Sequence, residues 1–332
     1  MSGHTGYYHR VESNGRLKFI VLGYRDAAAP SENLEAWITP TQGANLCRFI
    51  YGNSAIIDSN MDALGERGFP GTPVLYPTPN RVRNGRFIYK NRTYDQVKNG
   101  KKIVLHGLVL NEEWENDEPR IEEDGVAFNT WIDFSEGAPV FEAFPFRHRL
   151  TLHYCLGKAG IGITYTVRNL DRQEIPFGFG LHPFFRKLSG DGETYVRLPA
   201  NCVMDATSDL LPTGRLIDVE GTVYDLRKPD AVGKRDLDHV FTCLDPDSPA
   251  EIQYRTLGFS IIFKATPDFS HIVFYSPRGS DIFCLENQTC STDAHNLHDL
   301  GFEKEACLRT VPVGGEHSGT VEFQIKKLPP AI

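Results

Sequence analysis

No apolar run in this 332-residue chain approaches the length needed to cross a bilayer. The opening Met1-Ser2-Gly3-His4-Thr5 lacks a basic start followed by an apolar stretch, so a secretory signal is not expected. There is no long basic run, and the net charge is −8; both argue against nucleic acid or an anionic membrane as the partner. The seven cysteines are scattered and odd in number, and none forms a Cys-x-x-Cys pair, which argues against a zinc ribbon or a redox motif. Reduced thiols in a cytoplasmic protein are the simplest account. In that compartment the sequons at Asn91-Arg92-Thr93 and Asn287-Gln288-Thr289 meet no glycosylation machinery. The absence of a Gly-x-Ser-x-Gly elbow and of a phosphate-binding loop removes support for serine-hydrolase and NTPase chemistry. No Pro/Ser-rich linker and no repeat of fixed period divides the chain, so residues 1–332 are read as one large domain.

What is present is an ordinary globular mix, 40% apolar and 23% charged, able to bury a real core. Short strand-like runs dominate: Leu17 to Tyr24, Leu34 to Thr39, Ala44 to Tyr51, Val126 to Phe134, Glu251 to Phe263, His271 to Tyr275, Ile282 to Glu286 and Thr320 to Lys326. Arg149 to Leu156 and Ile161 to Arg168, joined by Gly157-Lys158-Ala159-Gly160, read as a hairpin. Only Ser59 to Arg67 has a helical look. Strands punctuated by turns, without alternating helices, predict an all-β antiparallel sandwich or barrel.

The stretch Ile175-Pro176-Phe177-Gly178-Phe179-Gly180-Leu181-His182-Pro183-Phe184-Phe185 organises the rest. Aromatic and aliphatic residues alternate with glycine and then histidine, the period of a half-buried strand. Glycine within a strand marks a close approach by a ligand or another backbone. Pro183 holds His182 extended and cannot donate to a ladder. Pairing should therefore stop near His182, which is either a seat for an acid or base or a core histidine beside a bulge. Four other places compete. Asn80-Arg81-Val82-Arg83-Asn84-Gly85-Arg86 offers forked donors to hydroxyls or a phosphate, or is a solvated loop. Ile103-Val104-Leu105-His106-Gly107 ends an apolar run in histidine, with Trp114 downstream as a sugar-stacking ring or a core residue. Leu237-Asp238-His239-Val240-Phe241 sets a carboxylate before an apolar stretch. In Ile282-Phe283-Cys284-Leu285-Glu286 the glutamate shares a face with Ile282 and Cys284, and partial desolvation there makes a better base. His295, His298 and Asp299 have a loose ligand look but lie in a polar loop without a third ligand at helical spacing, so no metal is expected.

Taken together these residues resemble the aldose 1-epimerase family, the galactose mutarotases and their relatives, from about Leu34 to Val311-Pro312-Val313-Gly314-Gly315-Glu316. The resemblance implies a large antiparallel β-supersandwich of the galactose mutarotase type. It implies that Asn80 and Arg81 bind substrate, that the His106 of His106-Gly107 contacts the sugar, and that Asp238 binds sugar hydroxyls. It also implies His182 as general acid and Glu286 as general base. Where many members carry Asn-x-Thr-x-His-x-Tyr-Phe-Asn-Leu, this chain has Gly178-Phe179-Gly180-Leu181-His182-Pro183-Phe184-Phe185, and Leu110 stands where some subgroups have arginine. Both departures bear on which sugar is used.

The activity implied is interconversion of the α and β anomers of a hexose by acid/base ring opening and reclosure, with no cofactor. The partner is a small-molecule sugar, and the chain is expected as a monomer or homodimer. One alternative is a hexose-6-phosphate 1-epimerase, with Arg81, Arg83 or Arg86 clamping the phosphate. Another is a non-catalytic carbohydrate-binding module on the same scaffold. A third is a glycoside hydrolase using Asp238 with Glu286 as its carboxylate pair.

Overall fold

Alternating burial builds the longest strands. His148–Gly157 and Gly160–Asn169 alternate buried and half-buried residues along nearly their whole length. They pair antiparallel from His148 opposite Asn169 to Gly157 opposite Gly160. In this computed structural model, which describes residues 5–59 and 71–329, the hairpin lies at the heart of a ten-stranded sheet. Val126–Phe134 flanks it on one side and Glu316–Lys327 on the other, followed by Phe259–Ala265 and Ala250–Tyr254. An eight-stranded sheet runs through Pro212–Asp218, Ala200–Ala206, Leu237–Leu244, His271–Ser276 and Ile282–Gln288 to the short pieces Gly180–Leu181 and Val74–Leu75. A five-stranded sheet of consecutive antiparallel neighbours, Gly6–Asn14 to Ser54–Asp58, covers the N-terminal region.

The two large sheets meet through their apolar faces. Phe185 sets its ring edge-on against Phe263 at 5.5 Å and Phe323 at 5.7 Å, and Tyr165 stacks on Phe179 at 4.3 Å. Each such ring removed from water contributes roughly 1.5–3 kcal/mol, and the same buried cluster continues under the five-stranded sheet through Ile20, Leu22 and Phe49. The expected antiparallel β-supersandwich is the observed architecture. Among the described residues no helix is long and apolar enough to cross a membrane. All seven cysteines are unbridged.

Several expectations need correction. The run Glu251 to Phe263 is not one strand: a 3-10 turn at Arg255–Leu257 breaks it, and Gly258 takes a left-handed φ of 72° to start the next strand. The stretch around His182 is not half-buried. Residues 175–183 are buried on both faces, and they divide into Ile175–Phe177, Gly180–Leu181 and, after a gap, Phe184–Arg186. His295 and His298 lie on a short helix, Ala294–Asp299, and not in an open loop. Of the two readings of Trp114, the core residue is the one observed. The helical reading of Ser59 to Arg67 falls, beyond Ser59, outside the described residues.

Candidate active site

The strand Ile282–Gln288 separates two environments by simple alternation. Phe283 and Leu285 join the core with Phe274 of the neighbouring strand. Cys284, Glu286 and Gln288 face the other way, and Glu286 is 2% exposed. Register then gathers its neighbours. Glu286 lies opposite Val273, which lies opposite Val240, while Cys284 leads through Tyr275 to Asp238. Asp238 therefore shares the face of Glu286, from inside the strand Leu237–Leu244 and not from a turn before it.

On the other side, Gly180 pairs with Gln288 and Phe184 with Cys284. That register sets His182 directly across from Glu286, although Pro183 has no N–H to continue the ladder. The backbone N–H of His182 instead donates to the Pro73 carbonyl at 3.0 Å, and that of Phe184 to the Gly71 carbonyl at 2.8 Å. The His182 ring stacks on Phe184 at 4.5 Å with only 6° between planes. Its Nε2 stands 3.3 Å from Glu286 Oε1.

The glycines next to this histidine are covered by another stretch of the chain, one of the two close approaches expected of them. A Cβ on Gly178 would land on the Cys290 sulfur and 2.7 Å from Pro79 Cδ. The Gly178 N–H donates to the Pro77 carbonyl at 2.7 Å. The bare backbone thus lets the Pro77–Arg81 loop lie down on the strand and delivers Asn80 and Arg81 to the pair. Asn80 has a φ of 58°, and its carbonyl accepts the His106 N–H at 2.7 Å. His106, at φ 62°, sits edge-on to His182 with ring centroids 5.1 Å apart. Gly107 follows at φ 74°, where a Cβ would overlap the Tyr76 carbonyl. The His106-Gly107 pair is thus a backbone requirement as well as a chemical one.

Asn80, Arg81, His106, His182, Asp238 and Glu286 therefore gather in one place. Arg81 Nη1 donates to Asn80 Oδ1 at 3.2 Å, and its charge acts on His106, Asp238 and Glu286. Burial, reinforced by Asp238, pushes the Glu286 carboxyl well above its usual range. Burial, with His106 alongside, pulls His182 well below its own, and burial holds His106 at about 4. Asp238 is raised by burial, with Arg81 opposing. Burial thus disfavours charge on both partners and favours neutral imidazole with carboxylic acid over the ion pair.

Several neighbours escaped sequence reasoning. Gln288 Nε2 donates to Glu286 Oε2 at 3.0 Å and fixes the carboxyl; its place two residues along the same strand was the available signal. Phe184, two residues after His182, was legible in the same way. Asp293 ties the loops together: its N–H donates to the Arg81 carbonyl at 2.9 Å, and its Oδ1 accepts the Arg83 N–H at 3.0 Å. Beside Arg81 and Asp238 a recess of about 20 Å³ is walled by Met204, Leu210 and Pro212. Arg83 pairs with Asp293 at 3.5 Å and Arg86 with Asp95 at 2.7 Å. His295 packs on Phe87 at 4.4 Å and faces the Pro176 carbonyl.

Comparison with known sequences decides the family. Residues 32–324 match the profile of aldose 1-epimerase. The chain belongs to the aldose 1-epimerase family. Its curated relatives are distant. The uncharacterized protein YihR of Escherichia coli K12 is 26% identical over 171 residues, 51% of this chain and 53% of YihR. Galactose mutarotase of Bos taurus is 28% identical over 160 residues, 47% of this chain and 44% of the bovine protein. The matched part thus spans about half the length of these relatives. In three dimensions the likeness runs nearly end to end. A galactose mutarotase-like protein of Clostridium acetobutylicum superposes with a TM-score of 0.82 at 20% identity, covering 97% of this chain and 99% of that one. At that identity the likeness speaks for the fold.

Proposed function

We propose that this family member is an isomerase that interconverts the α and β anomers of a hexose, with His182 as general acid and Glu286 as general base. The observation that carries this reading is the buried contact of 3.3 Å between His182 Nε2 and Glu286 Oε1, walled by hydroxyl-binding side chains. The ring oxygen and the anomeric hydroxyl hang on the same carbon, so their proton donor and acceptor have to be close neighbours.

Ring opening takes the proton of the anomeric hydroxyl onto Glu286 while His182 gives one to the ring oxygen. The bond from the anomeric carbon to the ring oxygen breaks, and the aldehyde carbonyl forms. Rotation about the C1–C2 bond presents the other face, and closure runs the two transfers backwards. This requires imidazolium and carboxylate, which hold the same single proton as the resting neutral pair. A sugar that donates its hydroxyl to Glu286 and accepts at its ring oxygen favours that charged arrangement, so substrate binding prepares the pair. Asn80, Arg81, His106 and Asp238 hold the hydroxyls, and neutral His106 donates or accepts without competing for the proton.

Of the three arginines that were candidates for a phosphate clamp, Arg83 and Arg86 are in ion pairs with Asp293 and Asp95. Arg81 is the one at the pair, which favours a free sugar over a phosphorylated one. Unbridged cysteines support a cytoplasmic setting, and the core shared by the sheets supports a single domain. Polarimetry of freshly dissolved α-D-glucose and α-D-galactose, with and without the protein, tests the activity. Faster approach to the same final rotation is expected. No acceleration with either sugar or with hexose 6-phosphates would leave a carbohydrate-binding module in its place.

A further inference from the structure

The far side of the strand that carries Glu286 holds a second, unrelated feature. Asn287 alternates to the interior face, opposite Ile272 of the neighbouring strand. Residues of both large sheets border a cavity there of about 640 Å³. Its floor is Ile272, Phe269 and Asn287, and its roof is Ala250 and Phe263, a paired couple of the ten-stranded sheet. Pro246, Pro249 and Pro267 line it as well, residues whose fixed φ keeps the walls from collapsing inward.

Three observations say what belongs there. The volume falls within the range of about 300–1,000 Å³ typical of small-molecule sites. Asn287 is 4% exposed, yet its Oδ1 has no hydrogen-bond partner among the described residues. A buried carbonyl oxygen of this kind is costly unless a donor reaches it. The charged residues lining the cavity are one cation, Lys264, and one anion, Asp245, so the cleft has no net preference for an ion.

We propose that this inter-sheet cleft is a second ligand site, distinct from the His182–Glu286 face, which takes a neutral, largely apolar small molecule with one hydrogen-bond donor directed at Asn287. The apolar body fills the gap between Ile272 and Phe263, and the donor satisfies the amide oxygen. Thr242, Ser248, Thr266 and Ser270 also line the cleft, within a lining that is more apolar than polar. The site is independent of the anomerase reading.

The test is a fluorescence titration of the full chain with N-phenyl-1-naphthylamine, a neutral aromatic carrying a single N–H. Saturable binding at one site per chain is expected. Ala265 lines the cleft from an exposed position, so Ala265→Trp fills the space without burdening the fold and should abolish binding. Asn287→Leu, which keeps the shape and removes the oxygen, should weaken binding by about five- to tenfold. Cooperative melting of both variants is checked alongside. Absence of saturable binding to the unaltered chain, or undiminished affinity in Ala265→Trp, would overturn the proposal.

Discussion

Two regions of the large sheets are built by opposite habits. In the ten-stranded sheet the hairpin His148–Gly157 and Gly160–Asn169 pairs residue for residue without a break. In the eight-stranded sheet the pieces at Gly180–Leu181 and Phe184–Arg186 are two and three residues long, and Met204 and Ala206 flank a register shift. Both regions supply core. His182, Asp238 and Glu286 all lie in the interrupted one, where Pro183 has no N–H for the ladder and the His182 N–H turns to the Pro73 carbonyl. The candidate site sits where regular pairing is interrupted.

The sharpest way to break that comparison is Glu286→Gln. It should lower kcat by about 10²–10⁴, the range for loss of a general base, while the fold gains. Glu286 is raised by burial, so its contribution is fully present below its unfolded value and declines as pH rises above it. At pH 7 the glutamine variant should therefore show a higher denaturant midpoint with an unchanged slope. Leu152→Ala tests the regular sheet. Leu152 is fully buried between its neighbouring strands, and the truncation should cost about 2–5 kcal/mol of stability with kcat unaltered.

Gly178→Ala probes the seam between the two behaviours. The added methyl displaces Pro79 or Cys290 and with them Asn80 and Arg81, and a misplacement of about 1 Å costs up to roughly 10² in rate; stability should fall less than in Leu152→Ala. Asp238→Asn should act least, raising KM by about tenfold or less, the scale of one charge-assisted hydrogen bond. Acid lability sharpens the picture further. Burial holds His106, His148 and His295 at about 4 and His271 at about 3. Each is depressed, so stability is full above the unfolded histidine value of about 6.5 and should fall as pH drops from there, measured by urea melts at stepped pH.

How much of this was legible follows the same division. The hairpin from Arg149 announced itself because alternation and a Gly-bounded turn agreed. Glu251 to Phe263 misread as one strand because Leu257 kept the apolar pattern alive through the turn, leaving Gly258 as the sole signal. The strand Gly6–Asn14 was missed because none of its residues is fully buried, although Asn14-Gly15 before Leu17 was a hairpin cue. At the site, residue types and order were readable, and Asn80, Arg81, His106, His182, Asp238 and Glu286 do converge. Their geometry was not, since it depends on register between strands more than a hundred residues apart. Gly178 and Gly180 promised close approach by a ligand or another stretch of chain, and it is the chain, at Pro79 and Gln288, that comes close.

The central claim is that His182 and Glu286 share one proton and move it on and off a sugar. Exchange NMR between the α and β anomeric signals of the sugar that polarimetry selects, recorded for the unaltered protein and for Glu286→Gln with sugar binding measured in the same samples, tests it most directly. The account predicts protein-catalysed exchange that vanishes in the variant while binding is largely kept. Near-normal exchange in Glu286→Gln would contradict it.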